Sequence, residues 1–188
     1  MAGRVLIIES DQTFRDSLAQ WISGNAFRVY GVADAEEAQQ VARETEVDVA
    51  IIGLIGLGRE GLGALKILKE LSPLTEIILI AGTAQLPLAI EGMKLGAFDD
   101  FRPPIDMNEL LSRVRDAFRK KKRSTRAGKS VRRRLHELLV ATTFAEAGEF
   151  DMAREVLGSK GVRTRSGKPD RDKHNTGDSA VANKEELS

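Results

Sequence analysis

The sequence predicts an α/β fold, in which helices cover both faces of a doubly wound, five-stranded parallel sheet and a C-terminal helical extension follows. Two observations predict it. Apolar runs and segments with helical periodicity alternate five times within the first 120 residues of a 188-residue chain, which is typical of repeated βαβ units. The runs are continuously apolar, as expected for parallel strands buried on both faces.

The predicted elements follow one another without long gaps. The strands are predicted at residues 4–8, 27–32, 47–53, 76–81 and 97–101. The helices between and after them carry apolar residues three or four positions apart. Their stripes are Phe14, Leu18, Trp21 and Ile22; residues 34–44; Leu62, Leu65, Leu68 and Leu71; Leu86, Ala89, Ile90 and Met93; and Leu110, Leu111, Val114, Ala117 and Phe118. Asp34, followed by Glu37, and Asp106 are predicted N-caps.

The character of the chain changes after residue 118. Residues 119–134 include ten basic and no acidic residues, whereas residues 1–118 have 11 basic and 18 acidic ones. We predict a first domain at 1–122, a basic linker at 123–130 that contains Gly128, and a helical hairpin at 131–158 broken at Gly148. The polar residues 159–188 are predicted to be disordered.

Composition excludes several classes of site. The chain has no cysteine, which removes disulfides and thiolate metal ligands. Its two histidines, His136 and His174, are far apart in sequence. No apolar run is long enough to span a bilayer, and the N-terminus does not have the pattern of a signal peptide. We therefore expect a cytoplasmic, bacterial-type protein with no cofactor and no membrane partner.

Gly56, Gly58 and Gly61 have the G-x-G-x-x-G spacing of a dinucleotide-binding turn. In such a fold the turn follows the first strand, and an acidic residue about 20 positions later binds the ribose. Here the glycines follow the third predicted strand, and Ala81 and Gly82 stand where the carboxylate belongs. We interpret the segment as a loose, glycine-rich loop that does not bind a nucleotide.

Residues 4 to about 120 resemble the receiver domain of bacterial two-component response regulators, particularly those of the nitrogen-regulation type. Three segments carry the resemblance. They are RVLIIESDQTFRDSLAQWI, VDVAIIGLIGLGREGLGALKILKE and EIILIAGTAQLPLAIEGMKLGAFDDFRPPIDMNELLSRVRDAF. The resemblance implies a flavodoxin-like sheet with strand order 2-1-3-4-5. It also implies a cis bond between Pro103 and Pro104.

The resemblance also implies which positions correspond to the phosphorylation site of the family. The acidic pair that helps to hold Mg²⁺ matches Glu9 and Ser10, and the phosphoacceptor aspartate matches Gly53. The hydroxyl position matches Ala81 and the lysine position matches Pro103. The switch aromatic, three residues before the lysine, matches Asp100.

These residues cannot perform the chemistry of the family. Glycine has no nucleophile, so no aspartyl phosphate can form at Gly53. Without a lysine at Pro103, no charge compensates the phosphoryl group. Glu9 and Asp11 are weak candidates for a metal site, and a solvated, helix-capping pair is the preferred interpretation. We predict a pseudo-receiver that is not an enzyme and acts independently of phosphorylation.

The resemblance places the partner surface on the fourth predicted helix, the fifth strand and the fifth helix. We expect a signalling protein or a second copy of the chain to bind there. The predicted contact residues are Leu86, Ile90, Met93, Phe101, Leu110 and Val114.

An alternative function is nucleic-acid binding through the basic segment 119–134, which would supply phosphate contacts without sequence specificity. The segment contains no aromatic residue for base stacking, and no helix-turn-helix follows it. A solvated basic linker is therefore the preferred interpretation, and nucleic acid remains the alternative.

Overall fold

A computed structural model describes residues 2–158 and contains a five-stranded parallel sheet of order β2-β1-β3-β4-β5, as predicted. Its strands are β1 (Gly3–Ile8), β2 (Phe27–Val32), β3 (Val49–Gly53), β4 (Glu76–Ile80) and β5 (Asp99–Phe101). Each adjacent pair of strands is parallel. The connections between parallel strands therefore have to cross the faces of the sheet, and helices form them.

Helices connect the strands and extend beyond them. They are α1 (Gln12–Ser23), α2 (Ala35–Glu44), α3 (Leu54–Leu57), α4 (Arg59–Leu71), α5 (Leu86–Lys94), α6 (Met107–Glu146) and α7 (Phe150–Gly158). A short 3-10 turn at Thr83–Gln85 precedes α5. The described residues divide into two compact units, one that ends at residue 136 and one that begins at residue 137, and the division falls within α6. No helix among the described residues is both long and apolar enough to cross a membrane.

Alternation along the central strands produces two apolar layers, one on each face of the sheet. Leu6 and Ile8 of β1 belong to the layer that packs beneath α2 and α4, whereas Val5 and Ile7 belong to the layer beneath α1 and α6. All four side chains have no exposed surface. Because both faces are buried, the strands read as continuous apolar runs in the sequence.

The predicted linker at 123–130 is wrong in its secondary structure, because α6 continues through it to Glu146. A glycine inside a helix costs only about 1 kcal/mol relative to alanine. The lysines and arginines around Gly128 are good helix formers, so one glycine does not end the helix. The break at Gly148 is confirmed: this residue has φ +81° and lies between α6 and α7. The predicted disorder of 159–188 lies outside the described residues.

The expected loose loop after β3 is also wrong. Residues 54–57 form the one-turn helix α3, and α4 begins at Arg59. Between them Gly58 adopts φ +52°, a conformation that residues with a Cβ rarely adopt. The Pro103–Pro104 bond is cis, as predicted.

Candidate functional site

The matched positions follow the carboxyl ends of neighbouring strands, where parallel sheets collect their functional groups. Ile8 of β1 pairs with Ile52 of β3, so Glu9 lies opposite Gly53. Gly53 in turn pairs with Ile80 of β4, and Ala81 follows. The fold therefore gathers these positions at one edge of the sheet, which we call the crevice (Glu9, Ser10, Gly53 and Ala81).

Glu9 fills the space above Gly53. Its side chain is buried, with the residue only 4% exposed. A Cβ atom built on Gly53 would lie 1.8 Å from Glu9 Oε2 and 2.7 Å from Glu9 Cδ. A side chain at position 53 and the present Glu9 conformation are therefore mutually exclusive, because real Cβ atoms do not approach other atoms so closely.

The Glu9 carboxylate is held by local hydrogen bonds. Oε1 accepts one from the Asp11 backbone N–H at 3.0 Å and one from Ser10 Oγ at 3.4 Å. The Arg15 guanidinium donates to the Glu9 backbone carbonyl. The expectation of a solvated Glu9 is therefore wrong, because this side chain folds inward over the glycine instead of extending into water.

Asp11 has a different role from Glu9. Its side chain caps α1 by accepting a hydrogen bond from the Phe14 N–H at 2.8 Å, which confirms the capping interpretation. Among the described residues, no group of three or more histidine, aspartate or glutamate side chains could hold a metal ion. Glu9 and Asp11 thus bind backbone N–H groups of their own segment.

A second glycine accommodates Ser10 in the same way. A Cβ on Gly56 would lie 1.9 Å from Ser10 Oγ, and one on Gly61 would lie 2.8 Å from Leu54 Cδ2. The glycine pattern after β3 thus has structural causes: close approach at Gly56 and Gly61, and a positive φ at Gly58. Sequence reasoning missed the contribution of Gly56. The sequence does contain a signal for this contact. Gly56 lies three residues after Gly53, and polar residues such as Ser10 follow the first strand.

The other matched positions lack the groups of the family, since Ala81 has no hydroxyl, Pro103 no ammonium group and Asp100 no aromatic ring. Ala81 is buried, and its N–H donates to the Phe101 carbonyl at 2.9 Å. Pro103 and the neighbouring Arg102 are exposed. Asp100 is half-buried on β5, and its N–H donates to Asp99 Oδ1 at 3.0 Å.

Three of the six predicted contact residues of the partner surface are at least partly exposed. Ile90 and Met93 of α5 are 51% and 39% exposed, and Leu86 is half-buried. Phe101, Leu110 and Val114 are wrong as surface residues, because all three are buried in the layer beneath α1 and α6. Leu110 and Val114 lie on the apolar stripe of α6, and a residue that faces the sheet cannot also face a partner.

Sequence comparison identifies relatives of the first two thirds of the chain. The family described as "Response regulator receiver domain" matches residues 5–115. A "Regulatory protein VirG" of Rhizobium rhizogenes is 32% identical over 118 residues, which are 62% of this chain and 48% of that protein. A "Putative response regulator NtrX-like" of Rickettsia typhi is 28% identical over 109 residues, 57% of this chain and 23% of that protein. The chain therefore spans about half, or less, of the length of these relatives.

Solved structures share the fold. A CheY-like receiver domain protein from Methanospirillum hungatei aligns with a TM-score of 0.62 and 21% identity, over 66% of this chain and 99% of that one. NtrX from Brucella abortus, crystallised with ATP, aligns with a TM-score of 0.63 and 21% identity, over 68% of this chain and 29% of that one. At this identity the likeness concerns the fold alone.

Proposed function

The chain belongs to the response regulator receiver domain family, and we propose that it is a pseudo-receiver: a two-component signalling protein that acts by phosphorylation-independent binding to another protein. In this proposal the receiver fold is a binding module and not a phosphate-driven switch. It has no enzymatic activity and uses no cofactor.

One observation carries the proposal. The position that matches the phosphoacceptor is Gly53, and the Glu9 carboxylate lies where the side chain of an acceptor would begin. The crevice therefore contains a carboxylate that is already hydrogen-bonded to the Asp11 N–H. A fixed carboxylate at this place disfavours the approach of a phosphoryl group, because like charges repel strongly in a buried site.

The surroundings of Glu9 also lack the groups that phosphoryl transfer requires. Positioned cations and hydrogen-bond donors stabilise the charge on a transferring phosphoryl group. Ala81 offers no hydroxyl and Pro103 offers no ammonium group. Arg15 binds a backbone carbonyl instead. Glu9 itself is therefore a poor substitute acceptor, although it is a carboxylate.

Intact-mass spectrometry tests this proposal. The full chain is incubated with acetyl phosphate and Mg²⁺, and we expect no increase in mass. The matched control is a variant with the family residues restored at the crevice: Glu9→Asp, Ser10→Asp, Gly53→Asp, Ala81→Thr and Pro103→Lys. The control should gain the mass of one phosphoryl group. A phosphoryl adduct on the wild-type chain would overturn the proposal, whichever residue carries it.

The partner surface in this proposal is the exposed part of α5, formed by Leu86, Ile90 and Met93. A signalling protein or a second copy of the chain binds there. Ile90→Asp should abolish capture of the partner from the source cell or self-association in sedimentation. Leu71→Asp is the matched control, since Leu71 is a similarly exposed apolar residue on α4. Equal binding by Ile90→Asp and the wild type would rule out this surface.

Nucleic-acid binding is the second candidate function. The observation that favours it is that α6 carries residues 119–134 as one helix, whose basic side chains are exposed except for Lys121. Such a helix can contact several phosphates of a duplex. Binding to arbitrary duplex DNA, measured by fluorescence anisotropy, should then weaken steeply between low and moderate salt. No binding at low salt would exclude this function.

A further inference from the structure

A concave site lies at the opposite edge of the sheet from the crevice, where α6 passes the amino-terminal ends of β1 and β2. The cavity has a volume of about 530 Å³, which is within the usual range for small-molecule sites, about 300–1,000 Å³. We call it the basic cleft. Its lining residues include Arg4, Arg28, Lys121, Lys122, Arg126 and Lys129, with Glu46 and Asp48 as the acidic members.

Two of these cations neutralise the two carboxylates. Lys121 is 3% exposed, and its ammonium group lies 3.2 Å from both Glu46 Oε1 and Asp48 Oδ1. It also donates to the Val47 carbonyl at 2.6 Å. Arg4 contacts the same two carboxylates, at 3.2 Å and 3.8 Å. The hydrogen bond and the charge of Lys121 lower the pKa of Glu46, so the Glu46 carboxylate stays ionised at neutral pH.

The other four cations have no carboxylate partner within the described part of the chain. They are Arg28, Lys122, Arg126 and Lys129. Lys122 lies over the Phe118 ring, 4.4 Å from its centroid. The three residues from α6 are spaced by four and three positions and thus share one face of the helix. Arg28, the second residue of β2, lines the same cavity from the sheet. Positive charge therefore lines two walls of one concavity.

We propose that the basic cleft binds a small molecule with a chain of two or more phosphate groups, of the class of nucleoside di- and triphosphates. Arginine binds phosphate oxygens with two parallel hydrogen bonds, and lysine binds them as a point charge. Cations on both walls of a cavity favour a short, highly charged chain that can contact several of them at once. This inference does not rest on the proposed signalling function, because the two sites lie at opposite edges of the sheet.

A small ligand fits these observations better than a nucleic acid. The cations line a concave site of small-molecule volume, and one of them, Arg28, comes from the sheet and not from the exposed helix. A duplex attracted by the basic helix alone would contact α6 from outside and would not need Arg28. If ligand binding depends on Arg28, the ligand therefore lies in the basic cleft and is not merely attracted by the positive charge of residues 119–134.

Isothermal titration calorimetry of the full chain with inorganic triphosphate, and separately with ATP, tests the proposal. The wild type should bind at least one of the two. Arg126→Ala combined with Lys129→Ala should weaken binding by about ten-fold or more, because the pair of substitutions removes two of the cations that contact the phosphate chain. Arg28→Gln should also weaken it several-fold.

The matched control is Arg132→Ala combined with Arg134→Ala, which removes the same charge from the same helix outside the cleft. This control should change binding by less than about two-fold, as expected for screened charges at a distance. Three results would overturn the proposal: no binding of either ligand, equal weakening by the control pair, or binding of duplex DNA that neither triphosphate nor ATP displaces. Circular dichroism of each variant confirms that α6 remains helical.

Discussion

Replacement of Gly53 by alanine probes the contact between Glu9 and Gly53 directly. Gly53 has φ −81° and ψ 104°, which are ordinary values for alanine. The backbone therefore does not oppose the substitution. The new methyl group would instead have to occupy a point 1.8 Å from Glu9 Oε2, so the carboxylate must leave its position.

The expected cost follows from what Glu9 loses. When displaced, it gives up the hydrogen bond from the Asp11 N–H and the weaker one from Ser10. A hydrogen bond to a charged group contributes about 1.5–3 kcal/mol. Alanine also reduces the entropy of the unfolded chain relative to glycine, which stabilises by roughly 0.4–1 kcal/mol. We therefore expect Gly53→Ala to lower the free energy of unfolding by about 1–2 kcal/mol.

A double-mutant cycle isolates the contact from other effects. In a Glu9→Ala background no carboxylate opposes the methyl group, and Gly53→Ala should stabilise by roughly 0.4–1 kcal/mol. The coupling energy from urea unfolding, followed by Trp21 fluorescence, should be about 1.5–3 kcal/mol. Gly63→Ala is the matched control, because a Cβ at Gly63 meets no atom within 4 Å. Its coupling to Glu9→Ala should be near zero. A coupling between Gly53 and Glu9 below about 0.5 kcal/mol would show that the Glu9 carboxylate does not occupy the space above Gly53.

Three further predictions concern other parts of the fold. Lys121→Met removes a buried ammonium group that binds Glu46, Asp48 and the Val47 carbonyl. It should lower the unfolding free energy by about 1–3 kcal/mol in urea titrations. An unchanged unfolding free energy would show that the contacts of Lys121 do not anchor α6. The pKa of Glu46 is lowered in the folded chain by Lys121, so its contribution to stability is present above about pH 4.5 and is lost as the pH falls below that value. The thermal unfolding midpoint of Glu46→Gln should accordingly vary less with pH in this acid range than that of the wild type. The same pH dependence in both proteins would contradict the pairing of Glu46 with Lys121. Ala26 has φ +63°, so Ala26→Gly should raise the unfolding free energy by about 1 kcal/mol, and a lower midpoint for this variant would show that the left-handed conformation is not strained.

The periodicity of the sequence was sufficient to predict the elements of the sheet and most of its helices. Leu6 and Ile8 alternate with Val5 and Ile7 between two apolar layers, and such strands are recognisable as short apolar runs. The cap at Asp34 is also local: its side chain accepts a hydrogen bond from the Glu37 N–H at 2.9 Å. Features that depend on neighbouring residues in the chain are therefore accessible from the sequence.

The inward orientation of the Glu9 side chain could not be predicted from neighbouring residues. Whether a glutamate after a strand extends into water or folds inward depends on the space above Gly53, which belongs to another strand. The length of α6 differs from the prediction for a local reason, because one glycine among helix-forming lysines and arginines costs only about 1 kcal/mol and does not end the helix. The predicted partner surface included residues that belong to the core. Helical periodicity marks Leu110 and Val114 as core residues, whereas the resemblance places the same residues on a surface.

A pseudo-receiver crevice should not bind a phosphoryl mimic. Backbone amide NMR spectra of the chain with Mg²⁺, recorded before and after addition of beryllofluoride as that mimic, measure this at each residue. We expect unchanged resonances for Ser10, Gly53 and Ala81 and for all of α5, because Glu9 fills the site and no lysine or hydroxyl is available to bind the mimic. Shifts at Gly53 that extend to Ile90 and Met93 would overturn the pseudo-receiver proposal, since they would show that the crevice binds a phosphoryl group and transmits the change to α5.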